Sequence, residues 1–174
     1  MSMLIIGIIG FLNLLGEATW VRQLAIAHIT PNLSLLLIVF WGILQGSQRG
    51  RRLGIWIGLL QDFLFCKVLG VYGLIYYMIG HISGYFNKDF HQGHFILPLV
   101  IVAGADFLYG LIQYFIYCFF TGDLHLGFYM LHRILPELCY TVLISVPIYP
   151  MIRLLSQGTK KIDHWIQNGK DRKA

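Results

Sequence analysis

Runs of apolar residues, each long enough to approach the thickness of a bilayer, follow one another along almost the whole of this 174-residue chain. A helix that spans a bilayer needs ~20 mostly apolar residues, within a range of about 17–25. Six segments are therefore predicted as membrane-spanning helices: 3–18, 31–45, 53–65, 71–86, 95–120 and 135–155. The second and third are short, and we expect burial within the bundle or local thinning of the bilayer to accommodate them.

The alternative to a membrane protein is a soluble all-helical protein with a large core. Hydrophobic residues make up 57% of the chain and charged residues 12%, whereas a soluble domain carries roughly 25% charged residues. Such a composition leaves too little polar surface to cover a soluble fold of this size. The sequence therefore favours an all-α integral membrane protein over a soluble one.

The basic residues predict the orientation of the six helices. Loops on the cytoplasmic side carry an excess of Lys and Arg. The second and fourth loops and the C-terminal tail are the basic ones, and they hold Arg49, Arg51, Arg52, Lys88, Arg153, Lys160, Lys161, Lys170, Arg172 and Lys173. Six spans with both termini in the cytoplasm satisfy this pattern. The net charge of +5 then points to anionic lipid headgroups rather than to nucleic acid.

Two regions follow from this organisation: a six-helix transmembrane domain over residues 1–155 and a basic cytoplasmic tail over 156–174. In the tail, Ile162, Trp165 and Ile166 share one helical face. This face is typical of a helix that lies on the inner leaflet. A frayed, solvated tail is the other interpretation.

Glycines recur every fourth residue from the second span into the third. Small residues four apart lie on one helix face and let two backbones approach closely. We expect this face either to pack against a neighbouring helix of the chain or to receive a helix of a partner protein. The residues of this face are Gly42, Gly46, Gly50, Gly54 and Gly58.

Four acidic residues lie in or beside apolar segments, where a charge is costly and usually has a role. Glu17, Asp62 and Glu137 are predicted at similar depth near the outer face. Arg22, Lys67 and Arg133 are predicted at the same level, so an ionic network joining the outer helix ends is the simplest interpretation.

The fourth acid, Asp106, lies near the predicted midplane of the bilayer. We expect it to face the interior of the bundle and to bond to a Tyr, a Gln or a backbone carbonyl, since an isolated charge at this depth is costly.

The chain has none of the sequence motifs of the common enzyme classes: no nucleophile elbow, P-loop, HExxH motif or dinucleotide fingerprint. We therefore predict no catalytic residues and no cofactor. His91 and His94 form an HxxH pair without a third ligand nearby, and His125 and His132 lie near Asp123. Solvated loop histidines are the favoured interpretation, and no metal site is predicted.

Several segments together resemble the MreD family of bacterial rod shape-determining membrane proteins. Pro31, Asn32 and Leu33 are followed by the apolar run 35–40 and by the repeated glycines up to Gly58. The segments 58–62, 69–74 and 135–140 complete the pattern, so the resemblance covers roughly residues 30–155. The first helix departs most from the family, with Glu17 where a neutral polar residue is expected.

The resemblance implies a non-enzymatic role in the elongasome, the machinery that inserts peptidoglycan along the lateral wall. Members associate with MreC, which has one membrane helix and a large extracytoplasmic domain. Through that assembly they connect with the MreB filament, the glycosyltransferase RodA and its transpeptidase. The resemblance also implies a helical bundle similar to the substrate-binding subunits of ECF vitamin transporters.

Two other functions stay open at this point. The chain's size and its six short helices also permit a substrate-binding subunit of an ECF-type transporter, although its first helix lacks an Ala-x-x-x-Ala motif. An intramembrane enzyme that uses Asp62, Asp106 or Glu137 is a third hypothesis.

Overall fold

The computed structural model describes residues 10–13, 15–17, 30–65, 70–88, 96–121 and 126–171, with side chains up to residue 158 except at 65, 117, 120, 121 and 126. Every regular element in these ranges is helical. A π-helical turn at Met130–Ile134 joins α6 to α7. The helices are α1 (residues 10–13 and 15–17), α2 (Leu33–Gln45), α3 (Ser47–Phe65), α4 (Val71–Tyr85), α5 (Ile96–Thr121), α6 (Leu126–Tyr129) and α7 (Leu135–Asp171).

The all-α class predicted from the sequence is confirmed for the described residues. One boundary differs from the prediction. The basic residues Arg49, Arg51 and Arg52 lie in the first part of α3 rather than in a loop, because Gly46 alone separates α2 from α3 and arginine is a good helix former. Helix α7 continues through Pro147 and Pro150 to Asp171, and the division at residue 155 into a transmembrane domain and a tail stays a prediction.

Among the described residues, two helical segments are long and apolar enough to cross a membrane, Ile96–Ile116 and Gly127–Gly158. Buried residues make up only 28% and 22% of their most apolar windows. The core helix of a soluble protein would be mostly buried, whereas most residues of these segments are partly or fully exposed. This exposure is what a lipid environment requires, since bilayer lipid is as apolar as the side chains themselves.

Helix α2 lies at the centre of the bundle and packs against α3, α4, α5 and α7. Side chains all around it, from Ser34 to Leu44, are buried. A helix that is apolar on every side is typical of a position enclosed by other helices. At 13 residues, α2 is short for a span, and its enclosure by protein removes the need to match the bilayer thickness alone.

Helices α3 and α4 meet through glycines, with their backbones in direct contact. A Cβ atom on Gly58 would lie 2.5 Å from the Cα of Gly73, and one on Gly54 would lie 2.7 Å from the carbonyl carbon of Tyr76. A Cβ on Gly50 would lie 2.8 Å from the Cα of Gly42 in α2. Real Cβ atoms essentially never come within 3.0 Å of another heavy atom. Only glycine therefore permits this approach of the two helices.

The glycine face predicted from the sequence is thus filled by a helix of the same chain. Gly42, Gly50, Gly54 and Gly58 are buried against α4 or between α2 and α4. Gly46 differs, since it has φ +90° at the joint between α2 and α3. This left-handed conformation reverses the chain in one residue, which glycine adopts without steric cost.

Replacing Gly58 with alanine is expected to destabilise the bundle by about 1–3 kcal/mol, because the new methyl group meets the backbone of α4. The measurement is the midpoint of thermal unfolding in detergent. Gly104→Ala is the matched control, since a Cβ at Gly104 has open space and alanine favours a helix by up to about 1 kcal/mol. Equal midpoints for the two variants would contradict the packing described here.

Candidate functional site: the polar end of the bundle

The end of the bundle where α2 and α4 begin contains most of its described buried polar groups. Asp62, near the end of α3, is fully buried. Its two carboxylate oxygens accept hydrogen bonds from the backbone N–H groups of Tyr72 (3.1 Å) and Gly73 (2.9 Å). These N–H groups belong to the first turn of α4 and have no partner within their own helix. Asp62 therefore caps a neighbouring helix, where a carboxylate also meets the positive end of the helix dipole.

Helix α2 is capped in the same way. The Glu17 carboxylate accepts hydrogen bonds from the backbone N–H of Ser34 (2.8 Å) and from its hydroxyl (2.9 Å). Asn32 is the N-cap of α2, and its side-chain oxygen accepts from the Leu35 N–H at 3.0 Å. Asn13 adds a hydrogen bond to the Ser34 hydroxyl at 2.7 Å. Glu17 and Asn13 in this way attach α1 to the start of α2.

These contacts differ from the ionic network predicted from the sequence. Glu17 and Asp62 bind backbone N–H groups and a serine, and Arg133 lies over the ring of Tyr129, 5.8 Å from its centroid. Among the described residues no ion pair joins the three outer carboxylates to Arg133. Arg22 and Lys67 lie outside the described residues, so their part in a network stays a prediction.

Tyrosines form a cluster beside the caps. The ring of Tyr76 stacks on that of Tyr109, with centroids 5.9 Å apart, and the Tyr76 hydroxyl donates to the Asn32 side chain at 3.3 Å. The Gln113 amide donates to the hydroxyls of Tyr72 (2.6 Å) and Tyr109 (2.8 Å). The cluster links α2, α4 and α5 by hydrogen bonds that are buried or partly buried.

One turn deeper, Asp106 of α5 is 3% exposed. Its hydrogen-bond partner is Thr141 of α7, rather than the Tyr, Gln or carbonyl expected from the sequence. The Thr141 hydroxyl oxygen also accepts from the Asn32 backbone N–H at 3.4 Å. The second carboxylate oxygen, Oδ1, is buried and has no hydrogen-bond partner among the described residues.

A cavity of about 380 Å³ opens beside the tyrosines, between α4, α5 and the start of α7. Its walls are polar and aromatic. Glu137 lines it. Of the three acids predicted near the outer face, Glu137 is therefore the one that faces open space. The described residues that line it are Thr30, Tyr72, Tyr109, Gly110, Gln113, Tyr129, His132, Arg133, Ile134 and Glu137.

The sequence did not single out Tyr72, Tyr109 or Gln113. A signal for two of them was present, because Asp106, Tyr109 and Gln113 follow one another at i, i+3 and i+7 and so share one face of α5. Tyr72, the residue that α4 adds to the cluster, carried no such signal, because the tyrosines of α4 look like ordinary apolar residues of that helix. His91, His94, Asp123 and His125 lie outside the described residues.

Loss of the Asp62 cap is expected to lower the stability of the bundle. Asp62→Ala leaves the Tyr72 and Gly73 N–H groups without their acceptor and should cost about 1–3 kcal/mol, measured as a lower midpoint of thermal unfolding in detergent. Asp62→Asn keeps one acceptor oxygen and should cost less. Lys67→Ala is the control for the ionic interpretation, and a loss as large as that of Asp62→Ala would show that the ion pair, not the cap, stabilises this end.

Comparison with known proteins identifies the family of this chain. No curated protein and no solved structure matches the chain. A family model described as rod shape-determining protein MreD matches residues 1–159, which include every helix named above up to the last part of α7. The match extends over nearly the whole chain, and the chain therefore belongs to the MreD family of rod shape-determining proteins.

Proposed function

We propose that the chain is a non-enzymatic membrane scaffold of the bacterial elongasome that pairs with an MreC-type protein to control cell shape and lateral peptidoglycan synthesis. The observation that carries this proposal is the family match over residues 1–159. Further partners in the proposal are the other elongasome components, MreB, RodA and its transpeptidase, together with membrane lipids.

The roles of the described polar groups support a scaffold. Asp62 and Glu17 cap helices, and Gln113 joins two tyrosines of neighbouring helices. Each of these groups is engaged in holding helices together rather than placed beside a nucleophile. In a scaffold, buried polar groups determine which helix ends pack together, and the groups named here have that role.

The exposed surface supports a site of action inside the membrane. Large apolar side chains point outward from several helices, among them Phe63 (79% exposed), Leu143 (69%) and Leu154 (70%). Such a surface is suited to lipid or to the membrane helix of another protein. A partner with one membrane helix, as in the MreC type, would contact this surface.

The proposed location is the bacterial cytoplasmic membrane, crossed six times with both termini in the cytoplasm. The end of the bundle opposite the caps supports this orientation. There the Gln45 amide donates to Ser156 at 3.0 Å, and Ser47 bonds to His81. The basic residues near the start of α3 and Arg153 of α7 lie toward this same end, as the excess of positive charge on the cytoplasmic side requires.

The partner's membrane helix, rather than its exported domain, is expected to hold the complex. A tagged MreC-type protein should retain this chain through purification in mild detergent after its exported domain is deleted. Replacing its membrane helix with an unrelated apolar helix should remove the chain from the complex. Retention with the unrelated helix would contradict pairing inside the membrane.

The chain is expected to restore rod shape in a rod-shaped bacterium that lacks its own family member, with cell width and lateral wall incorporation as the measurements. Gly104→Ala should rescue as well as the unchanged chain, because that position has open space. Gly58→Ala should rescue less, in proportion to its lower amount in the membrane. Absence of rescue by a chain that reaches normal membrane levels alongside its own MreC-type partner would refute the proposed role.

A further inference from the structure

The cavity at the polar end of the bundle has the size and lining of a binding site. Its volume of about 380 Å³ falls in the range of about 300–1,000 Å³ that is usual for small-molecule sites. Aromatic rings of Tyr72, Tyr109 and Tyr129 provide its walls, and Gln113 and Glu137 add polar groups. Structural tyrosine clusters are normally close-packed, so open space beside this one is unexpected for groups that only hold helices together.

Charged and polar residues follow one another at intervals of four, from the π-helical turn into α7. Arg133 lies at the rim and is exposed, and Glu137, one turn further along, lines the cavity. Thr141, another turn along, holds Asp106 below the cavity. At 1.5 Å rise per residue, successive positions are separated by about 6 Å. The order is therefore a cation at the rim, a carboxylate in the wall and a second carboxylate beneath.

The described residues supply the inner carboxylates with hydrogen-bond donors only in part. Asp106 Oδ1 is buried without a partner among the described residues. The Glu137 carboxylate interacts with the charge of Arg133, one turn away, and no described residue donates a hydrogen bond to it. Asp106 precedes Tyr109, Gly110 and Gln113 by three, four and seven residues, so it lies on the face of α5 that forms the cavity wall. A buried acceptor without a donor is costly, and a ligand that carries donors would relieve this cost.

We propose that this cavity binds a small zwitterion, with its ammonium group between Glu137 and the tyrosine rings and its anionic group at Arg133. An ammonium group has three hydrogens to donate and no acceptor, which suits a wall of carboxylate and phenol groups. Aromatic faces attract cations in addition. An anion at the inner end would meet two carboxylates, and an uncharged apolar ligand would leave them without donors.

Two sources supply this chemistry: the phosphoethanolamine headgroup of a membrane lipid and a free water-soluble zwitterion. Both place an ammonium group a few ångströms from an anionic group, so the lining alone favours neither. Binding of either is independent of the pairing with an MreC-type protein proposed above.

The experiment measures binding to the purified full chain with two probes. Native mass spectrometry compares dioleoyl phosphatidylethanolamine with dioleoyl phosphatidylcholine, whose quaternary ammonium cannot donate hydrogen bonds. Titration calorimetry in detergent uses free O-phosphoethanolamine. Binding of the ethanolamine lipid alone assigns the site to a headgroup, and binding of the free compound assigns it to a soluble zwitterion. Absence of binding by both probes overturns the proposal.

Glu137→Gln is expected to weaken binding about tenfold or more, because a hydrogen bond to a charged group is worth about 1.5–3 kcal/mol. Glu17→Gln is the matched control: it makes the same change at the same end of the bundle, but at a helix cap outside the cavity lining. The thermal midpoint without ligand shows whether either variant is misfolded. Equal binding by Glu137→Gln and the unchanged chain, or equal binding of inorganic phosphate, would show an anion site at Arg133 and refute the proposed ammonium site.

Discussion

The close contact of α3 with α4 is the constraint on which the rest of the bundle depends. Glycines on both helices let the backbones touch, as at Gly58 and Gly73, and α2 fits beside them through Gly42. Without water, apolar side chains gain little by leaving lipid, so helix association in a membrane relies on packing and polar contacts. The three glycine-bearing helices therefore form a rigid unit, against which α5 and α7 pack through α2.

The rigid unit fixes the position of the polar end. With α3 held against α4, Asp62 reaches the first turn of α4, and its carboxylate meets N–H groups that the helix itself leaves unsatisfied. Glu17 does the same for α2. In lipid each unsatisfied backbone group is costly. Acids are rare in apolar segments and therefore suggest a functional site, but these two acids satisfy the N–H groups at the starts of neighbouring helices. The family match and these helix caps support the scaffold that we propose.

Glu137 and Asp106 remain after the capping acids are explained. Glu137 lines the cavity between α4, α5 and the start of α7. Asp106 precedes the lining residues Tyr109 and Gln113 on α5 and keeps one buried oxygen without a partner among the described residues. A scaffold does not require open polar space inside its bundle. A bound zwitterion would give this end of the molecule a ligand-dependent stability, since a ligand that binds only the folded state stabilises it.

The sequence by itself determined the class of the protein: long apolar segments indicate helices in a membrane, glycines at a spacing of four indicate close packing, and residues 31–74 carry the family resemblance. These are local patterns, set by the period of one helix and the thickness of one bilayer. Only the tertiary structure decided what each side chain meets. The spacing of glycines does not predict which helix packs against them. An acid in an apolar segment indicates a costly charge, but it does not predict which donor binds that acid. Asp62 binds N–H groups ten and eleven residues away, and Asn32 meets Thr141 across 109 residues, because helix packing, not sequence proximity, brings these groups together.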